Sequence, residues 1–189
     1  MRKLKLQVQM SVDGYIAGPH GEMDWMLWDW DDKLKNYVAG ITEPVDTIIL
    51  GRKLAEGFIP HWASAAAGPD NPELVFAKKM NDSAKVVFTK TLRESMWSGT
   101  TLAKGDLTQE VNTLKKMAGK DIIVYCGSTF VSGLIAAHLI DEFHLFVNPS
   151  VLGNGMPIFK DLKDRQNLTL VKSERFDCGI VVLFYKMAQ

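Results

Sequence analysis

The sequence predicts an α/β fold in which strands alternate with helices and an antiparallel hairpin closes the chain. Three observations carry that expectation. Near the start, Leu4, Leu6, Val8 and Met10 alternate with Lys3, Lys5, Gln7 and Gln9, the period of two that marks a half-buried strand. Two short apolar runs, Thr47–Gly51 and Asp121–Tyr125, pass through glycine into small or basic residues and then into helical periodicity. At the end, Leu168–Phe176 and Ile180–Tyr185 flank Asp177-Cys178-Gly179 as a hairpin.

Composition narrows the class. With 189 residues, 47% of them hydrophobic and 23% charged, the chain has material for one substantial core, and a single domain over 1–189 is expected. Lysine plus arginine equals aspartate plus glutamate at 22 each, so no summed positive field draws it to nucleic acid or anionic lipid. A small-molecule partner fits better. The first ten residues lack the apolar run of a signal peptide, and no stretch approaches the length of a membrane span. Cys126 and Cys178 are too few for a disulfide framework and lack zinc-ligand spacing, so residence in the cytoplasm is expected. The four histidines, His20, His61, His138 and His144, include no pair at helical i,i+4 spacing, and no metal site is expected.

The elements follow in order. The first strand is expected over Lys3–Ser11, and Asp13-Gly14 and Gly18-Pro19-His20-Gly21 are turn formers around an extended Tyr15-Ile16-Ala17. Asp31-Asp32 begin a helix through Ala39, their acids suited to its positive end. Thr47–Leu50 is a strand, Arg52–Phe58 a short helix and His61–Asn71 a loop. Pro72 opens a helix to Asp82, and Lys85–Thr89 reads as a strand. Asp106 followed by Gln109 resembles a cap for a helix over Leu107–Ala118, which Gly119 stops. Ile122–Tyr125 is a buried, central strand, Ser128–His138 a helix, and Glu142–Asn148 the next strand.

Chemistry concentrates at the two strand-to-helix turns. Backbone N–H groups at a helix start, together with the helix dipole, favour a bound anion, and two such turns suit the two phosphates of a dinucleotide. At Gly51-Arg52-Lys53 glycine permits close approach and two cations neutralise charge, although a plain helix start with surface cations explains the same residues. Asp13 has two readings, as half of an Asp-Gly turn and as a carboxylate near a substrate. The run Trp25-Met26-Leu27-Trp28-Asp29-Trp30 likewise reads as core aromatics or as a flat pocket wall. Cys126 reads as small packing beside the second turn rather than as a nucleophile.

The order of landmarks is more specific than any one of them. Residues 10–17 (Met-Ser-Val-Asp-Gly-Tyr-Ile-Ala), Ile49-Leu50-Gly51-Arg52, residues 87–92, Gly127-Ser128, residues 139–145 and residues 149–155 together resemble the dihydrofolate-reductase-like superfamily. More closely they resemble the reductase domain of bifunctional riboflavin-biosynthesis enzymes, the RibD C-terminal domain family. The resemblance covers the chain to about Phe159.

It implies a three-layer fold with a central, mostly parallel sheet, flanking helices and NADPH across the carboxyl ends of the strands. By position, Gly51, Arg52 and Lys53 would contact the pyrophosphate or adenosine phosphates, and Thr89, Lys90 and Thr91 the adenine ribose and its 2′-phosphate. Gly127, Ser128, Thr129 and Phe130 would form the second phosphate turn, and Ile16 and Ala17 would border the nicotinamide. The activity implied is hydride transfer to a C=N or C=O bond of a planar heterocycle. Asp13, Asp29, Asp31 and Asp32 are the candidate proton donors, and Trp25, Trp28 and Trp30 the candidate pocket wall. Relatives of this kind commonly pair as homodimers, for which Phe143–Val147 or the final hairpin offers an interface.

Two departures stand out. Leu54 occupies a position where many relatives carry threonine, and Ser128 one where they carry the second glycine of a pair. Both motivate an alternative, a nucleotide-binding or regulatory module of the same fold with little turnover. The segment 22–32 has five acidic residues and no basic one, which argues against a phosphorylated riboflavin intermediate and for a neutral or cationic, pterin-like or pyrimidine-like ring.

Overall fold

In the computed structural model, which describes residues 1–125, 127–160 and 162–188, eight strands form one sheet in the order β4-β3-β2-β5-β1-β6-β8-β7. The strands are β1 (Leu4–Met10), β2 (Val45–Gly51), β3 (Ala84–Phe88), β4 (Thr100–Ala103), β5 (Asp121–Tyr125), β6 (Glu142–Val147), β7 (Leu168–Arg175) and β8 (Val181–Met187). The helices are α1 (Asp32–Thr42), α2 (Arg52–Ala67), α3 (Leu74–Asp82), α4 (Leu107–Lys116) and α5 (Ser128–Ala136). Strands β1 to β6 pair in parallel, while β8 runs antiparallel to both β6 and β7. The expected mostly parallel sheet with a terminal hairpin is what the chain builds. Among the described residues no helix is long and apolar enough to cross a membrane.

Parallel strands need crossovers, and these cover both faces. Helices α4 and α5 pack over Leu4, Leu6, Val124, Phe143 and Leu145 on one face. On the other, α2 and α3 cover Ile48, Leu50, Val87 and Ile123, and α1 covers Phe146 and Val182. Capping fixes two helix starts: Asp31 accepts the Leu34 amide at 2.8 Å and Asp106 the Gln109 amide at 3.0 Å.

Three expectations are corrected. The helix predicted to end at Phe58 runs on to Ala67 with Pro60 inside it. The loop expected over His61–Asn71 is therefore largely helical. Proline removes one backbone bond, but continuing the helix packs Trp62 edge-on against Phe58 (6.0 Å) and Phe76 (5.3 Å). Strand β4 was not expected, because a four-residue edge strand that buries only Ala103 carries no alternation. The strand Phe143–Val147 is bonded by β1 on one side and β8 on the other, so it offers no edge to a partner. The final hairpin does, with Leu170 and Val171 on edge strand β7 about half exposed. Cys126 lies outside the described residues.

The alternation in β1 also has another meaning than a solvent face. With both faces helix-covered, Lys5, Gln7 and Gln9 point towards α1 and α2. Lys5 is buried, paired with Asp121 at 3.1 Å and donating to the Ile41 carbonyl at 3.3 Å. Beside it, buried Glu142 accepts from Lys3 at 2.9 Å and lies 3.8 Å from His144 Nε2.

A short seam ties the loop after β1 to the segment after β6. Tyr15 bridges Pro157, Ile16 donates to the Met156 carbonyl at 3.0 Å, and Met156 donates to that of Ala17 at 2.9 Å. From behind, the Ser128 hydroxyl donates to the Pro157 carbonyl and that of Ser132 to the Ile158 carbonyl at 2.8 Å. A β-carbon on Gly155 would overlap the Ala17 carbonyl oxygen and crowd Tyr15. Gly155→Ala is therefore expected to cost roughly 1–3 kcal/mol, read as a lowered midpoint in chemical denaturation. A midpoint equal to that of the parent would mean the seam has slack.

His144, then Lys3, hold the Glu142 carboxyl down to about 2, below its ordinary 4.5. The folded chain thus binds fewer protons than the unfolded one between those values. The stabilisation is complete above about 4.5 and is lost as pH falls towards 2. The stability gap between the parent and Glu142→Gln, measured by urea unfolding, should shrink over that window; a constant gap would contradict the assignment.

Candidate active site at the carboxyl edge of the sheet

Strands β1 to β6 all leave the sheet at one edge, so the loops that follow them gather there. In spatial order the edge carries Thr89-Lys90-Thr91 after β3, Gly51-Arg52-Lys53 after β2, Gly127-Ser128-Thr129 after β5, and the loop with Ile16 and Ala17 after β1. Residues dispersed over more than a hundred positions are brought to consecutive strand ends along this edge. Gly51 pairs with Phe88 and Leu50 with Tyr125, so the three strand ends are level.

The two glycine turns start helices on opposite faces, α2 and α5. Gly51 (φ −80°, ψ 150°) and Gly127 (φ −75°, ψ 167°) both sit in extended backbone that any residue adopts, so glycine is not required there for its dihedrals. Its benefit is space: a β-carbon on Gly127 would meet nothing within 4 Å, leaving the start of α5 open to a ligand. Neither helix has a side-chain cap. Arg52 is held by Glu56 one turn on at 2.5 Å, and Lys53 is exposed. These residues fit a pyrophosphate group in donors, charge and room.

The other cofactor candidates have defined local roles. Thr89 Oγ1 accepts the Thr91 and Leu92 amides, each at 3.1 Å, and shapes the loop. Lys90 Nζ donates to the carbonyls of Lys104 (2.8 Å) and Gly105 (2.7 Å), joining the loops after β3 and β4. Ile16 and Ala17 are buried in the seam. Thr129 is exposed at the helix start, whereas Phe130 packs on Phe88 with ring centres 4.9 Å apart. The two departures both turn inward: Leu54 packs in the α2 core, and the Ser128 hydroxyl is committed to Pro157.

The four candidate acids are not brought together as one group. Asp13 accepts the Leu152 amide with both oxygens at 3.1 Å and that of Gly153 at 2.7 Å, clamping the loop after β6. The Ser11 hydroxyl and then these amides hold its carboxyl below the usual range. Asp31 caps α1 and also accepts the Cys178 amide at 3.0 Å; the Leu34 and Cys178 amides lower its pKa. Carboxylates so tied are poor proton donors. Asp29 and Asp32 are exposed.

The core reading of the tryptophan run holds for Trp30. Trp30 stacks on Phe146 at 6.2 Å in the α1 core and donates to the Leu27 carbonyl at 2.7 Å. Trp28, 64% exposed, stacks on the outer side of Trp30 at 6.1 Å. Trp25 is half-buried, its Nε1 donating to the Glu22 carbonyl at 3.1 Å. From Trp30 a groove of about 560 Å³ runs between α1 and α3 past Val38, Ala39 and Phe76.

Four residues of this region were not singled out from the sequence. Fully buried Asn148 accepts the Leu27 amide at 2.9 Å and donates to Gln9 Oε1 at 3.0 Å and to the Phe146 carbonyl at 3.2 Å. It fastens the tryptophan loop to β1 and β6. Tyr125, whose phenol is pushed up by burial, donates to Gln7 Oε1 at 2.8 Å and stacks under Phe58 at 5.4 Å. Gln7 and Gln9 stay half-buried in a central strand, so the helix layer leaves a gap above them. Two amides at i,i+2 in a strand were the available signal; the central position of that strand gives it meaning.

Comparison with known proteins agrees with this geometry. The model of the RibD C-terminal domain matches residues 2–182. The uncharacterized protein YyaP of Bacillus subtilis is 35% identical over 187 residues, 97% of this chain and 94% of its own length. Among solved structures, RibD of Acinetobacter baumannii superposes with a TM-score of 0.73 at 18% identity, covering all of this chain and 59% of that longer one. Dihydrofolate reductase of Enterococcus faecalis, complexed with NADP(H), superposes with a TM-score of 0.58 at 15% identity over 99% of this chain and 97% of its own. Six parallel strands, two glycine-led helix starts level at one edge and a family match over nearly the whole length lead to one conclusion: the chain belongs to the RibD C-terminal domain family, with a dihydrofolate-reductase-like fold.

Proposed function

We propose that the protein is an NADPH-dependent reductase that delivers hydride to a C=N or C=O bond of a small pterin-like or pyrimidine-like ring. The observation that carries this is the level placement of the α2 and α5 starts on adjacent strands, flanked by Thr89–Thr91 on one side and Ile16-Ala17 on the other. That order matches adenosine, pyrophosphate and nicotinamide laid along the edge. The cofactor supplies the hydride; the chain's residues bind, orient and exclude water. Arg52 and Lys53 supply positive charge at the first helix start, and Gly127 leaves room at the second. Ile16 and Ala17, fixed by the seam, wall the reacting ring. With Asp13 and Asp31 committed to backbone amides, the proton comes from water admitted to the gap over Gln7 and Gln9.

The ring stacks beside the tryptophan loop, whose acidic residues disfavour an anionic substrate. The same reading includes a homodimer assembled through the hairpin edge and residence in the cytoplasm. Light scattering should give twice the chain mass, and a monomer at micromolar concentration would remove the dimer from the proposal.

Titration with NADPH should quench tryptophan fluorescence and raise the thermal midpoint. Lys53→Ala should weaken that binding about tenfold, the scale of one lost charge-assisted contact, and reduce its salt dependence. Neither quenching nor a thermal shift at millimolar NADPH would sink the reading.

A further inference from the structure

We infer that Gln7 and Gln9 form a pair of outward-facing hydrogen-bond donors that selects heterocycles carrying carbonyl oxygens over those carrying amino groups. The inference rests on the reductase reading for the place of the ring, and on the amide geometry for its chemistry.

The orientation of Gln9 is fixed through three groups. A backbone N–H can only donate, so the Leu27 amide fixes the facing atom of Asn148 as its oxygen. The other end of Asn148 is then an NH₂ group, which donates to the Phe146 carbonyl and to Gln9. The Gln9 atom receiving that bond must be Oε1. Its Nε2 therefore points away from Asn148, and two N–H donors are left for whatever lies above β1. Gln7 is held by a different partner: its Oε1 accepts from the Tyr125 hydroxyl at 2.8 Å, a group that can also accept, so Gln9 is the amide whose orientation chemistry fixes.

Neither Nε2 has a partner among the described residues, and neither is sealed from solvent; the one buried side-chain polar atom left unsatisfied there is His144 Nε2. The two residues sit two apart on one strand, so their α-carbons are about 7 Å apart, the span of a bicyclic ring. In register across the sheet, Gln7 is flanked by His144 and Gln9 by Phe146 on β6. Both β6 residues are buried under α1, so the β6 side of the gap is closed by packed aromatic residues and the two amides are what it exposes.

A ring with oxygens facing these amides is met by N–H donors. A ring with amino groups there sets donor against donor, and buried unpaired donors are what a polar site rejects most strongly. A carboxamide does not titrate, so the preference holds across neutral pH, unlike selection by a carboxylate.

The test is calorimetric titration of the full-length protein with 2,4-dioxopteridine and with 2,4-diaminopteridine, each with and without saturating NADPH. The parent should bind the dioxo ring at least about tenfold tighter, one to two neutral hydrogen bonds' worth. Gln9→Leu should abolish the preference. Gln9→Glu, which presents an acceptor instead, should invert it. Thermal midpoints check that the variants fold, and Gln7→Leu provides a second route should Gln9→Leu fail to fold.

Equal binding of the two rings by the parent, binding of neither at millimolar concentration, or an unchanged preference in a folded Gln9→Leu or Gln7→Leu variant overturns the inference. Absence of NADPH binding with the ring preference intact overturns the reductase reading instead and leaves the donor pair standing.

Discussion

Parallel pairing is the constraint from which most of this molecule follows. Six neighbouring strands that run the same way are joined by crossovers, so helices cover both faces, and α1, α2, α4 and α5 each start on the carboxyl side of the strand before them. Burial then becomes severe for the middle strand. In β1 the alternate residue Lys5 is sealed from water, and Gln7 and Gln9 are half-buried. Lys5 is satisfied by Asp121 and a helix carbonyl, the glutamines by Tyr125 and Asn148. A polar row inside a sheet survives because each member has a designated partner.

What could be read from the sequence was local. The helix start at Asp31-Asp32, the cap at Asp106, the glycine turns before α2 and α5 and the Asp-Cys-Gly hairpin are each decided within a few residues, and each formed where expected. The features that were misread depend on distant chain. Helix α2 passes Pro60 because Phe76, on another helix, receives Trp62. Strand β4 exists because β3 offers an edge, not because its own residues demand it. Gln7 and Gln9 look like a wet face until the strand order places β1 between β5 and β6.

The candidate site divides in the same way. Its two glycine-led helix starts were legible because glycine before a helix has a physical meaning on its own. The acids were not, because a carboxylate's role is set by its partners. Asp13 and Asp31 became clamps once the amides of residues 152–153 and Cys178 came within reach. Leu54 and Ser128, which weakened the case as bare letters, have packing reasons for their identity.

The Ser128 contact has a mechanical side. Its hydroxyl joins the first residue of α5 to the Pro157 carbonyl, and Pro157 is bridged to Tyr15, next to Ile16 and Ala17. Gly155 leaves no clearance in that stack. The start of α5 and the loop after β1 are therefore fastened to the same short segment, by the Ser128 and Ser132 hydroxyls on one side and by Tyr15, Ile16 and Ala17 on the other. Two adjacent strand ends are thus braced from outside the sheet as well as by the pairing of β5 with β1.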